Sequence, residues 1–225
     1  MASLFVIPLL SLLQLATISA DVKVTIPASY NLHITSGSLP APYRLTQFHF
    51  HWPSEHTIND VQYPLELHLV HANTQVPDNQ TLISPAGLAV VAVLFDYNKI
   101  AKSSRALRTL VSHLSATSSE GQSVTLSSPL TLEELLPTDT GSYVRYSGSL
   151  TTPPCAEVVE FHILTNTLPI SQVDVFRFAS MRHEVRVAAD IEVEKYIGHN
   201  ERPLQPLNGR QLRLHGNLGD LPTDL

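Results

Sequence analysis

The chain has 225 residues, of which 43% are hydrophobic and 15% charged, so it can bury a sizeable core and is too apolar for a disordered protein. The formal net charge of −6, with no stretch rich in lysine and arginine, excludes a nucleic-acid-binding protein. The single cysteine, Cys155, cannot form a disulfide within the chain.

Residues 1–20 form an uncharged, mostly apolar leader that ends in the small residues Ser19 and Ala20. This ending favours a secretory signal peptide. Pro8 and Gln14 interrupt the apolar run, so we expect no stable membrane span. We predict a secreted or lumenal protein with a single domain at residues 21–225. A cytoplasmic location is the alternative if the leader is not a signal.

Most of the remaining chain consists of short segments in which apolar and polar residues alternate, as in half-buried strands. These segments are residues 22–26, 43–52, 65–72, 143–150 and 158–164. Residues 87–95 are continuously apolar, which predicts a strand buried on both faces.

Helices are few. Residues 99–116 should contain an amphipathic helix, because apolar residues recur there at the i, i+3, i+4, i+7 spacing. Thr131 and Glu134 resemble a capping box that opens a short turn before Pro137. Ser171 is a candidate N-cap of another short helix. The predicted fold class is therefore mainly β (α+β), a large twisted, mostly antiparallel sheet with a few short peripheral helices.

Two of the predicted strands carry histidines on one face. In "QFHFHW", His49 and His51 share a face with Gln47, because side chains two residues apart in a strand point the same way. In "ELHLVH", His68 shares a face with Glu66. If the strands are antiparallel neighbours, three imidazoles converge, which suits a catalytic zinc ion with an open fourth position.

Other interpretations of the histidines stay open. Each histidine taken alone is more often a hydrogen-bonded core or surface residue than a ligand. His49, His51 and Glu55 also fit the metal-binding core of a cupin, in which the glutamate is a ligand. Cupins place glycines around that core, and no glycine lies between Gly37 and Gly87. We interpret His56 and His71 as supporting hydrogen-bonding groups.

Longer motifs point to one family. "YSGSLTTPPCAE" at residues 146–157, taken with "QFHFHW", "SEHT" and "ELHLVH", closely resembles the α-class carbonic anhydrases. "GLAVVAV" and "NERPLQPLNGRQ" resemble later segments of that family, and the order and spacing agree from about Val22 to Leu214. The resemblance implies a large, mostly antiparallel sheet with small helices at its edges.

The resemblance also implies the roles of individual residues. It implies a Zn²⁺ cofactor with three ligands, His49, His51 and His68. It implies that Gln47 and Glu66 accept hydrogen bonds from ligand imidazoles.

The substrate side of the site follows from the same resemblance. Thr151 matches the threonine that accepts a hydrogen bond from zinc-bound hydroxide, and Glu55 matches the carboxylate that holds this threonine. Thr152 matches a neighbour that contacts bicarbonate. The apolar wall for carbon dioxide matches three residues, Val70, Val90 and Leu150.

The implied function is zinc-dependent, reversible hydration of carbon dioxide to bicarbonate and a proton, by attack of zinc-bound hydroxide. The partner is this small substrate, with no nucleic acid. One alternative is a non-catalytic binding or storage protein on the same fold. Another is a cupin-like metal oxidoreductase.

The chain departs from the family at its N-terminal end, where a substantial stretch normally precedes the position of Val22. The family's proton-shuttle histidine corresponds to Ser19 or Ala20, so no shuttle is identified. Exported members often pair a cysteine in that stretch with one at the position of Cys155, which here has no partner. We therefore expect reduced activity.

Overall fold

The computed structural model describes residues 22–97, 102–114, 129–181 and 198–216 in full, and elsewhere only the backbone of short strands. The strands are numbered in chain order. The first ten are β1 (Phe5–Val6), β2 (Leu12–Leu13), β3 (Thr17–Ser19), β4 (Val24–Thr25), β5 (His33–Ile34), β6 (Tyr43–His51), β7 (Thr57–Ile58), β8 (Val61–Gln62), β9 (Leu65–Asn73) and β10 (Leu88–Tyr97). The others are β11 (Ser123–Thr125), β12 (Leu130–Thr131), β13 (Tyr143–Gly148), β14 (Val159–Ile170), β15 (Arg182–Ala188), β16 (Ile191–Tyr196) and β17 (Arg213–His215).

One large sheet forms the body of the protein. Its strands lie in the order β11-β3-β4-β6-β9-β10-β14-β13-β17, and β5 joins it through β6. Neighbouring strands are antiparallel except β10 and β14, which are parallel. The prediction of a mainly β fold with a mostly antiparallel sheet is therefore confirmed.

Several predicted strands have different ends in the structure. The segment predicted at residues 143–150 ends at Gly148, because the amide of Leu150 instead donates to the Ala156 carbonyl and closes a loop. The segment predicted at residues 158–164 continues to Ile170, because its pairing with β10 extends to that residue.

The two central strands are buried. All nine residues of β9 are buried, and β10 is buried from Leu88 to Phe95, as its continuous apolar run predicts. One apolar cluster lies on each face of this pair. Polar side chains on β9 are therefore held by a rigid, buried pair of strands and are shielded from solvent.

Two α-helices are described, α1 (Arg105–His113) and α2 (Gln172–Ala179). Helix α1 lies within the predicted segment and buries its apolar residues. The Ser104 hydroxyl accepts a hydrogen bond from the Leu107 amide at its start. Helix α2 begins as predicted, since the Ser171 hydroxyl accepts from the Asp174 amide.

The predicted capping box is wrong. A short 3₁₀-helix, Leu132–Leu135, does follow Thr131, but the Thr131 side chain makes no capping hydrogen bond. The Glu134 carboxylate instead accepts from the amide of Ala106, 2.8 Å away in the first turn of α1. Tertiary packing gives this carboxylate a better donor than the local amides, because the unpaired amides of α1 lie within its reach.

His71 should make stability depend on pH. Burial lowers the pKa of this imidazole to about 3, whereas an unfolded histidine titrates near 6.5. Between these values the unfolded state binds more protons, so the free energy of unfolding should fall by about 1.4 kcal/mol per pH unit as the pH falls. Urea unfolding from about pH 4 to 6.5 should show a shallower pH slope for His71→Phe than for the parent. Identical slopes would contradict the prediction.

Candidate metal centre

Strands β6 and β9 bring the three predicted histidines together. His49 and His68 are direct partners in the antiparallel register, and His51 is partnered with Glu66. The ring centroids of His49, His51 and His68 lie 4.7 to 5.3 Å apart. Each ring offers one nitrogen, and these nitrogens all lie within 4.8 Å of one another. The strand alternation therefore produces the convergence that it predicted.

Two of the rings are oriented by residues of their own strands. The Nδ1 of His49 lies 2.9 Å from Gln47 Oε1. The Nε2 of His68 lies 2.6 Å from Glu66 Oε1. Because an amide oxygen and a carboxylate can only accept, each imidazole donates its N–H there, and its other nitrogen keeps a free lone pair. Gln47 and Glu66 thus occupy the positions predicted for orienting acceptors.

The third ring is oriented by a distant segment. The Nδ1 of His51 lies 3.4 Å from the backbone carbonyl of Asn200. The side chain of Asn200 donates to the Phe50 carbonyl and accepts from the Trp52 amide, so it binds β6 on both sides of His51. Sequence reasoning assigned no role to Asn200, although it begins the "NERPLQPLNGRQ" motif.

The nitrogen lone pairs that remain free on the three imidazoles suit a metal ion. The Nε2 of His51 is buried and has no hydrogen-bond partner among the described residues. Burial lowers the pKa of all three histidines and favours the neutral imidazole, which is the form that binds a metal. A buried nitrogen acceptor without a donor is unfavourable, and a cation bound at the centre would remove this cost.

A second group of potential ligands, His56, Glu66 and His68, also lies within 4.8 Å. It is less suitable, because its atoms already bind one another. His56 Nδ1 and His68 Nε2 each lie 2.6 Å from Glu66 Oε1. His56 Nε2 lies 2.6 Å from the hydroxyl of Tyr146. This group is a hydrogen-bonding network beside the candidate metal centre, as predicted for His56.

Glu66 is the centre of that network. Its Oε2 accepts from the backbone amides of Glu55 and His56, at 2.8 and 2.9 Å. Burial alone would raise the pKa of Glu66, but the imidazoles of His56 and His68 outweigh it and hold the pKa well below its usual value. Glu66 is therefore an ionised carboxylate buried at 0% exposure.

His71 does not support the ligands. Its Nδ1 lies 2.9 Å from the Leu69 carbonyl, on the face of β9 opposite to His68. Alternation predicted this face, but the supporting role is wrong, because the hydrogen bond of His71 goes to a backbone carbonyl and not to a ligand.

Glu55 lies beside the histidines. Its Oε1 accepts from the amide of Arg202 at 2.8 Å, while its buried Oε2 has no hydrogen-bond partner among the described residues. Burial raises the pKa of Glu55, and the neighbouring His68, Arg202 amide and Thr151 hydroxyl oppose this rise. Thr151 is half-buried and Thr152 is exposed. Their contacts with reacting groups stay predictions.

An apolar wall borders the centre. Val70 and Val90 are register partners on β9 and β10, with 7% and 3% exposure. Leu150 packs against the same apolar cluster. The three residues predicted for the wall therefore lie in one cluster, while their contact with carbon dioxide stays a prediction.

The predicted signal peptide and shuttle position lie in residues 1–20, whose side chains are outside the described part of the chain. Secretion stays a prediction. Cys155 is a half-buried free thiol. No helix in the described ranges is both long and apolar enough to cross a membrane.

The sheet and its histidines define a β-sheet protein with a candidate metal centre. The sequence profile of the eukaryotic-type carbonic anhydrase family matches residues 13–216, and the chain therefore belongs to the carbonic anhydrase family. The α-carbonic anhydrase of Photobacterium profundum has a similar structure, with a TM-score of 0.68 and 32% identity over 90% of this chain and 80% of that one. The family match leaves the cupin alternative without support.

Two relatives show how far the similarity extends. Carbonic anhydrase 1 of Oryctolagus cuniculus is 35% identical over 214 residues, which cover 86% of each protein. Carbonic anhydrase 15 of Mus musculus is 35% identical over 189 residues, which cover 80% of this chain and 57% of the mouse protein. The chain thus spans less than two thirds of the length of the mouse relative.

Proposed function

We propose that this protein catalyses the reversible hydration of carbon dioxide to bicarbonate and a proton, with Zn²⁺ held by His49, His51 and His68. The observation that carries the proposal is the convergence of three oriented imidazoles, with nitrogens within 4.8 Å, beside an apolar wall. Bound zinc would supply hydroxide at neutral pH, because it lowers the pKa of bound water to about 7.

The chain's own residues prepare the site for this chemistry. Gln47, the Asn200 carbonyl and Glu66 each fix the proton on one nitrogen of a ligand ring, which turns the other nitrogen towards the centre. The ligand set is therefore neutral and preorganised before any metal binds.

Glu55 and Thr151 would orient the attacking oxygen. While Glu55 is ionised it can only accept, and its Oε2 is a buried acceptor that makes no hydrogen bond within the described ranges. The Thr151 hydroxyl is the neighbouring donor that this oxygen can take. The Thr151 oxygen would then accept from the attacking O–H and direct an oxygen lone pair towards the substrate.

The apolar wall suits carbon dioxide. This substrate is uncharged and a weak hydrogen-bond acceptor, so a surface of Val70, Val90 and Leu150 can hold it without competing polar groups. Thr152 is exposed near Thr151 and would contact the bicarbonate product.

Zinc analysis combined with a stopped-flow hydration assay tests the proposal. The purified protein should contain about one zinc per chain and acidify a CO₂ solution faster than buffer alone. Removing the metal with a chelator should abolish the activity, and adding zinc should restore it. Zinc binding without any hydration would identify the non-catalytic binding protein instead.

Proton release should limit turnover. The positions expected for a shuttle hold Ser19 and Ala20, whose side chains do not titrate near neutral pH. A small imidazole buffer should therefore raise the maximal rate several-fold as its concentration increases at fixed pH and ionic strength. A buffer of similar pKa that is too bulky to enter the site serves as the control. A rate that does not respond to imidazole would contradict this prediction.

A further inference from the structure

A separate cleft of about 280 Å³ lies at the β13–β17 edge of the main sheet. Its lining contains three arginines, one glutamate and three uncharged residues. The volume is near the lower end of the range for small-molecule sites. The charges of the lining sum to +2, which indicates an anionic ligand.

One arginine is already neutralised. Arg145 donates two hydrogen bonds to Glu160 Oε2, at 2.9 and 3.1 Å, and Ser147 donates to Glu160 Oε1 at 2.6 Å. Both members of the Arg145–Glu160 pair have side chains that are 12% exposed. Because Arg145 and Glu160 cancel each other's charge, the net positive charge of the lining comes from Arg210 and Arg213.

Arg210 is held in place but keeps its charge. Its Nε and Nη2 donate to the carbonyls of Leu207 and Pro206, at 2.9 and 2.7 Å, and its guanidinium lies 5.4 Å from the ring centroid of Tyr146. Neutral carbonyls and a ring face orient a guanidinium without cancelling its charge. The side chain is therefore preorganised at low entropic cost.

Arg213 is exposed and lies opposite Arg145 in the register of β13 and β17. Glu160 already compensates the charge of Arg145, so the charge of Arg213 is the one left unbalanced on this strand pair. Among the described residues, no carboxylate forms an ion pair with Arg210 or Arg213. An anion in the cleft would balance these two charges.

We propose that this arginine cleft binds a small phosphate-bearing anion, either inorganic phosphate or a phosphomonoester. A phosphate group carries about −1.5 to −2 charge near neutral pH, which matches the unpaired charges of Arg210 and Arg213. Guanidinium groups bind phosphate oxygens through paired, charge-assisted hydrogen bonds. Gln211 also lines the cleft and adds an uncharged amide donor.

Isothermal titration calorimetry of the zinc-loaded protein at constant ionic strength tests the proposal, with inorganic phosphate and glycerol 3-phosphate as probes. Arg213→Gln should weaken binding by about tenfold or more, since charge-assisted hydrogen bonds are lost. Arg213→Lys, which keeps the charge but not the paired donors, should fall between. Arg105→Gln removes another exposed arginine, in α1, and should leave the affinity unchanged.

A second titration, with metal-free protein, separates the cleft from the metal centre. Binding in the arginine cleft should persist without zinc, whereas an anion bound to zinc would be lost. Tighter binding of glycerol 3-phosphate would identify a phosphomonoester site, and equal affinities would identify a phosphate site. Either the absence of saturable millimolar binding or an affinity unaffected by Arg213→Gln would overturn the proposal.

Discussion

Replacing His49 with asparagine is expected to weaken zinc binding several hundredfold and to lower the rate of carbon dioxide hydration at limiting zinc. His49 is the least buried of the three proposed ligands, so its replacement should disturb folding least. Four-ligand zinc sites bind with about 10–16 kcal/mol, and loss of one ligand should therefore cost about 3–4 kcal/mol, or several hundredfold in affinity.

Metal analysis, zinc titration and the hydration assay together measure this effect. The melting temperature of the parent should rise with added zinc, because zinc binds the folded state, and His49→Asn should need several hundredfold more zinc for the same rise. His199→Gln replaces an imidazole that is 73% exposed and should behave like the parent. A His49→Asn protein with the zinc affinity and hydration activity of the parent would contradict the proposed metal centre.

Replacing Glu66 with glutamine should have the largest effect on stability. The carboxylate receives hydrogen bonds from four donors, and an amide would turn its own NH₂ group towards some of them. Leaving buried donors and imidazoles unpaired typically costs about 3–5 kcal/mol. Zinc affinity should also fall by about 10- to 100-fold, because His68 loses its orienting acceptor.

Urea unfolding of the metal-free proteins measures the change in the free energy of unfolding. Zinc titration measures the change in zinc affinity. Because the folded pKa of Glu66 is depressed, its stabilising contribution is present above the unfolded value and is lost as the pH falls towards the folded one. The effect of Glu66→Gln should therefore be largest at neutral pH and smaller in acid. Glu157→Gln, at an exposed position, is the matched control. An unchanged urea midpoint for Glu66→Gln at neutral pH would refute this account.

The alternation of polar and apolar residues predicted most of the central strands and the three histidines of the candidate metal centre. Alternation in "QFHFHW" placed His49 and His51 on one face, and the continuous apolar run after Gly87 predicted a strand buried on both sides. These predictions succeed because strand periodicity is a local property, which follows from backbone geometry alone. The parallel pairing of β10 with β14 has no such local signature.

Side chains with several available partners were predicted less well. Glu134 was expected to bond within its own turn but caps α1, and His71 was expected to support the ligands by a hydrogen bond but bonds to the backbone carbonyl of Leu69 instead. A polar side chain takes the best donor or acceptor that folding brings near it, and sequence neighbours are only some of the candidates.

Short-range patterns in the chain were enough to predict the strand periodicity, the shared faces of the three site histidines and the family resemblance. Three contacts became visible only in the tertiary structure. They are the hydrogen bonds from His51 to the Asn200 carbonyl, from the Arg202 amide to Glu55, and between His56 and Tyr146. These contacts join residues 90 to 149 positions apart, so they exist only after the sheet has brought distant segments together.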